Sequence, residues 1–160
     1  MHEQSKIRKY SLKAVALCLM FTALSLTLTG CSKMSEPTDG DFMLACDSVD
    51  LSAVSQSTSG TDQEHMDKLY IAQSDNEVIE FIQYDNEDSA SELFATIENS
   101  ISNSSANVEK DISTSFYSKY YLRNGDKYQA VVRVGKVVIY GKEDVASGNV
   151  DKVLEYLGLD

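Results

Sequence analysis

SFYSKYYLRNGDKYQAVVRVGKVVIY, residues 115–140, carries the reading that decides the fold class. Ser115 to Arg123 alternates as a strand does, with successive side chains on opposite faces. Asn124-Gly125 is a strong hairpin signal, because a type I′ turn needs positive φ at both central positions. Lys127 to Val134 returns as the partner strand, Gly135-Lys136 makes a second tight turn, and Val137-Val138-Ile139-Tyr140 is a third strand. Together they predict an antiparallel meander. A two-residue loop centred on Asn124-Gly125 puts Tyr117, Lys119, Tyr121 and Arg123 on one face. Lys127 and Gln129 then return beside Tyr121 and Lys119, while Tyr128, Ala130, Val132 and Val134 turn to the core.

This face is the candidate binding patch: Lys119, Tyr121, Arg123 and Lys127. Seven of the ten Lys and Arg in residues 31–160 fall between Lys110 and Lys142, so the hairpin is a basic, aromatic element on an otherwise acidic chain. Tyr and Arg are frequent in recognition surfaces. The same charges also keep an outer face soluble and an edge unpaired, and both readings stay open here.

Upstream, Leu69-Tyr70-Ile71-Ala72 and Val78 to Tyr84 read as strands joined by the turn Ser74-Asp75-Asn76. Val78, Glu80, Ile82 and Tyr84 share one face; Ile79, Phe81 and Gln83 share the other, the better core face. Ser89-Ala90-Ser91-Glu92 has capping-box spacing. Ala90, Leu93, Phe94, Ile97 and Ile101 then recur as the apolar stripe of a helix. Asn149 is placed to cap a last helix with stripe Val150, Val153, Leu154 and Leu157, ended by Gly158. The order β-β-α-β-β-β-α does not alternate as a parallel doubly wound sheet would. The expectation is a two-layer α+β domain, an antiparallel sheet with two helices on one face.

Ahead of this domain, residues 31–65 read as a polar tether, with the chain's single Pro at position 37. Within it, Phe42, Met43, Cys46 and Val49 form a weak helical pattern over 41–54 with Asp41 as its cap. The compact domain is expected over 66–160, and the docking of 41–54 onto it stays open. Phe42, Cys46 and Val49 recur at i, i+4 and i+7, so Cys46 reads as a small buried hydrophobe.

The N-terminus reads differently from the rest. Lys6, Arg8, Lys9 and Lys13 precede an apolar run from Ala14 to Leu28, which ends in Leu28-Thr29-Gly30-Cys31. The plan is that of an export signal. Fifteen apolar-run residues, Thr22, Ser25 and Thr27 among them, fall short of the ~20 needed to cross a bilayer core. Leu28-Thr29-Gly30-Cys31 resembles the lipobox of bacterial lipoproteins, with Thr29 where Ala or Ser is more usual. The resemblance implies a signal peptide over 1–30, cleavage before Cys31, and acylation of Cys31, with palmitate among the acyl groups. The protein would then be exported and lipid-anchored to the outer face of the bacterial cell membrane. Two or three acyl chains hold far more firmly than one, since each buried CH₂ contributes about 0.8 kcal/mol. Glu80-Phe81, Asn124-Gly125 and Arg133-Val134, in that order, also resemble small extracytoplasmic lipoproteins of Gram-positive bacteria, a likeness that implies no activity and no site residues.

Charge and residue types narrow the function classes. The chain carries −11, and residues 1–30 hold four Lys/Arg against one Glu, so residues 31–160 carry −14. An acidic body of this kind resists nucleic acid and anionic lipid. Cys18 leaves with the signal and Cys31 with the lipid, so Cys46 has no partner for an internal disulfide. His65 is the one His after residue 30, there is no Gly-rich phosphate loop, and no paired-Cys motif offers a zinc site. No catalytic residue, cofactor or metal is expected. Asp85-Asn86-Glu87-Asp88, with Asp75 and Glu77, lacks the Gly of a calcium loop and suits a helix N-terminus better. The expected function is a membrane-tethered, non-enzymatic interaction module whose partner is an envelope protein or an anionic envelope polymer. The alternatives are a solute-capturing accessory lipoprotein and, third, a small envelope enzyme.

Overall fold

Val131 and Val132 are consecutive, so their side chains leave their strand on opposite faces, yet both are buried. Val138 and Ile139 repeat this one strand over. A strand that buries both faces lies between two layers. A computed structural model describes residues 34–59, 64–102 and 107–160, the last of these with side chains from residue 112 onward. Leu28-Thr29-Gly30-Cys31 and the apolar run before it lie outside the described residues.

The strands are β1 (Ala53–Gln56), β2 (Met66–Gln73), β3 (Glu77–Tyr84), β4 (Asn107–Ser113), β5 (Tyr117–Asn124), β6 (Lys127–Val134) and β7 (Val137–Asp144). The helices are α1 (Asp39–Asp47), α2 (Glu87–Ser102) and α3 (Asn149–Tyr156). All seven strands pair antiparallel in the order β1-β2-β3-β7-β6-β5-β4. Two meanders, β1 to β3 and β4 to β7, meet at the β3–β7 pair, and α2 carries the chain from one to the other.

The expected α+β class with an antiparallel sheet is what the chain forms. Two features differ. The helices occupy both faces: α1 and α3 cover Phe81, Ile79, Tyr128, Ala130, Val132 and Ile139, whereas α2 covers Ile82, Tyr84, Tyr120, Leu122, Val131 and Val138. The sheet also has one more strand at each end than expected. β1 and β4 are the edges, and an edge strand has little to bury, so it shows no apolar alternation. β1 leaves Val54, Ser55 and Gln56 exposed.

Residues expected as tether belong to the fold, and Met34 to Asp160 forms one compact unit. Phe42, Ala45 and Cys46 of α1 are fully buried, and the Phe42 ring lies 5.4 Å from that of Phe81. Lys68 Nζ and Tyr70 Oη donate to the Asp39 carboxylate at 2.9 and 3.0 Å, tying α1 to β2. Burial pushes the Cys46 thiol up to about 12, which leaves it protonated and unreactive.

Each helix is capped by a residue other than the expected one. Thr38 caps α1, with Asp41 returning the bond from the third helical position, a full capping box. Asn86 Oδ1 accepts from Ser89 N at 2.8 Å, so α2 begins before the Ser89 box. At α3, Gly148 has no side chain to offer, and the cap comes from β7. Glu143, buried, accepts at Oε2 from Asn149 N, Val150 N and Ser147 Oγ at 2.7, 3.0 and 2.7 Å. Gly158, φ 69°, closes α3 as expected, and Leu159 N donates to Leu154 O in a Schellman arrangement that buries Leu159. Gly141 lets α3 seat on β7: a Cβ there would stand 2.5 Å from Val150 Cγ1.

Candidate functional site

Asn124 pairs with Lys127 across the β5–β6 hairpin, so the loop is Gly125-Asp126 and not Asn124-Gly125. Gly125 has φ 59°, whereas Asp126 is not among the non-Gly residues with positive φ, which is the arrangement of a II′ turn with Gly first. The expected pairing of Tyr121 with Lys127 and of Lys119 with Gln129 differs from the observed one by three residues, and an odd shift turns a whole strand face over. Lys119, Tyr121 and Arg123 therefore stand opposite Val132, Ala130 and Tyr128, on the side covered by α1 and α3.

The predicted patch is corrected accordingly. Lys119 is fully buried and its Nζ donates to the carbonyl of Leu159. The same ammonium lies 4.5 Å from the Tyr121 ring centroid, Tyr121 stacks on Tyr128 at 6.0 Å, and Arg123 Cζ lies 5.2 Å from the Tyr128 ring. Three of the four residues thus come together as an internal ladder of cations and rings, a stabilising arrangement under α3. Lys127 lies on the other face, bound to Asp144. A hollow of about 280 Å³ beside the ladder is rimmed by Asp151, Glu155 and Asp160, the opposite sign to that expected. Tyr128 Oη donates to Asp151 there at 2.6 Å.

On the other face of the sheet, one row of directly opposed residues runs Val54, Ile71, Glu80, Tyr140, Val131, Tyr120. Val131 and Tyr120 are buried beneath α2. Tyr140 and Glu80 are half-buried, Ile71 is half-buried and packs into neither core, and Val54 is 56 % exposed. The reason is the placement of α2, which packs on β6, β7, β3 and β5. β1 and β2 lie beyond those four strands, at the end of the sheet that α2 does not reach to the same extent.

The partly exposed strip Val54, Ile71, Glu80, Tyr140 has Glu80 in its floor. Among the described residues its carboxylate has no hydrogen bond or ion pair, and burial pushes it above the ordinary carboxylate range. Tyr140 beside it donates its hydroxyl to Gln129 at 3.0 Å, and burial, with the Glu80 charge second, raises its pKa. Toward one end, Gln73, Val78 and Lys142 lead into a hollow of about 310 Å³ that Asp75, Glu77, Glu143, Asp144 and Lys127 complete. Glu77 turns to the α3 side, where its Oε1 accepts from Asn149 Nδ2 at 3.1 Å and its Oε2 is buried with no donor among the described residues. The strip had one sequence signal: a carboxylate at position 80 between the apolar residues 78 and 82 of its own face.

A third hollow, about 360 Å³, lies along α2 between His65, Tyr84, Ser89 and Leu93. His65, held at φ 75°, approaches Asp85 with Nδ1 3.0 Å from Oδ2. Asp85 and Glu77 stand at opposite ends of β3, so the acidic residues 75, 77 and 85–88 do not converge. Among the described residues no group of three or more His, Cys, Asp or Glu could hold a metal ion, and no helix is long and apolar enough to cross a membrane.

No protein-family model matches the chain, and no curated protein matches it either. Among solved structures, the chain is similar to the crystal structure of a GTP binding regulator from Thermotoga maritima, at 9 % identity and a TM-score of 0.46, over 76 % of this chain and 84 % of that one.

Proposed function

We propose that the chain is a lipid-anchored, extracytoplasmic interaction module that binds a protein partner on the partly exposed strip of its sheet and catalyses no reaction. The observation that carries this reading is the strip itself: Val54 is exposed and Ile71 and Glu80 are half-buried side by side, at the end of the sheet where β1 and β2 lie beyond the strands that α2 packs on. An anionic polymer is the less suited partner, because Lys119 is buried and Lys127 is paired with a carboxylate. Solute capture is supported less, since the hollows of about 280 to 360 Å³ lie at the low end of ligand pockets. Catalysis by a Ser or Cys would need His65 beside the nucleophile, yet among the described residues its ring bonds to Asp85. Anchoring rests on the likeness of residues 28–31 to a lipobox.

Two measurements test the reading. Cells fed labelled palmitate should label the wild type and not Cys31→Ser, which should leave the membrane fraction; equal label in both removes the anchor. A photo-crosslinking residue at Val54 should give a discrete protein adduct in intact cells, and one at the exposed Lys152 should not. Adducts from neither position, or from both alike, overturn the module.

A further inference from the structure

The interaction reading says where a partner docks; the charges of the strip say what kind of partner it is. Glu80 is a carboxylate half-withdrawn from water, with no hydrogen bond or ion pair among the described residues; Lys142, opposite Val78, is a cation further along the same face. A group in that position gains most from a partner that brings its own positive charge, since a charge-assisted bond formed in a partly dry site is stronger than one in water. The adjoining hollow is lined by both signs: Asp144 pairs with Lys127, Lys142 stands opposite Val78, and Glu77 and Glu143 turn to the α3 side, where they accept from Asn149. The helix α2, packed on the same face of the sheet, carries Glu87, Asp88, Glu92 and Glu98 and contains no Lys or Arg. Val54 and Ile71 supply apolar surface next to the carboxylate, Val54 on the edge strand β1.

We propose that the strip takes a basic, amphipathic segment of a partner protein, with apolar side chains on Val54 and Ile71 and a Lys or Arg on Glu80. This rests on the interaction reading and specifies its partner. A small polyamine would satisfy Glu80 and leave the apolar surface uncovered. An acidic segment would meet repulsion from Glu80 in the floor. Complementarity of this kind acts chiefly on specificity and encounter rate, and it weakens as salt screens the exposed charges.

The test uses the soluble form of the chain from residue 32 onward, the part that holds the whole described fold. The probes are a fluorescein-labelled peptide alternating Lys and Val, its Glu–Val counterpart, and spermine. The Lys–Val peptide should bind, more weakly as salt rises from about 0.1 to 0.5 M. Amide NMR shifts should move at Val54, Ile71, Val78, Glu80 and Tyr140. Glu80→Gln should weaken binding about tenfold, and Val54→Ser several-fold, whereas Glu155→Gln on the far side should not. Both strip variants change a half-exposed or exposed side chain, and an unchanged thermal midpoint confirms that they fold. The proposal falls if the Glu–Val peptide or spermine binds as well, if the shifts map elsewhere, if Glu80→Gln and Glu155→Gln act alike, or if no peptide binds. In those cases a Val54 adduct in cells still upholds the interaction module with a partner of other chemistry, and the lack of one removes both.

Discussion

His65 and Asp85 show how a single pair sets a pH window. The Asp85 carboxylate, bonded to the ring, raises His65 above its ordinary 6.5, and the ring bond, with Asn86 second, lowers Asp85 below its ordinary 3.8. A raised His contributes stability that is fully present below its unfolded pKa and is lost as pH climbs through the folded one. A depressed Asp contributes stability that is present above its unfolded value and is lost as pH falls through the folded one. The pair therefore acts between those limits. The thermal midpoint should fall as pH rises from about 6 to 8, and Asp85→Asn should flatten that fall. An identical fall in the variant would show that the pair does nothing for stability. Glu143 is the other residue with a role beyond its own element, since its carboxylate closes the N-terminus of a helix whose own cap position is glycine. No reading of residues 147–150 can find that cap, because it arrives from a neighbouring strand.

At the scale of elements, α2 was the most legible segment. Ala90, Phe94 and Ile101 of its predicted stripe are buried, and Leu93 and Ile97 pack against the same core. Phe94→Ala should cost about 3–5 kcal/mol, seen as a lower denaturant midpoint at unchanged slope. An unchanged midpoint would mean that α2 does not hold the sheet as described. The β5–β6 hairpin shows the opposite case. Both strands were found, and Lys127 and Gln129 were set beside Tyr121 and Lys119, three residues from the observed partners Ala130 and Val132, which put Lys119, Tyr121 and Arg123 on a predicted outer face when they lie on an inner one. The apolar alternation of the two strands puts Tyr121 with Tyr128, Ala130 and Val132 on one face and Leu122 with Val131 on the other. Burying Tyr121 against Tyr128 and Leu122 under α2 fixes which face each strand turns inward.

For the whole molecule, the boundary expected at residue 66 falls inside the fold. A chain beginning at Met66 loses α1 and β1, and with them the ring on Phe81 and the cover over Ala72. It should lose at least the about 3–5 kcal/mol that one buried Phe supplies, and guanidine unfolding of the two lengths would show it. A midpoint equal to that of the chain from residue 32 would restore the original boundary. The sequence by itself determined the α+β class, the antiparallel meander of residues 117–144, and the helices at 87–102 and 149–156, because apolar period and turn chemistry are local properties. Tertiary structure decided the edge strands β1 and β4, the division of helices between two faces, and the partly exposed strip around Glu80. Edge strands bury too little to leave a pattern. A side chain's cover depends on where a helix crosses the sheet, and the crossing of α2 is set by the packing of β3, β7, β6 and β5, strands that lie far apart in the chain and side by side in the fold.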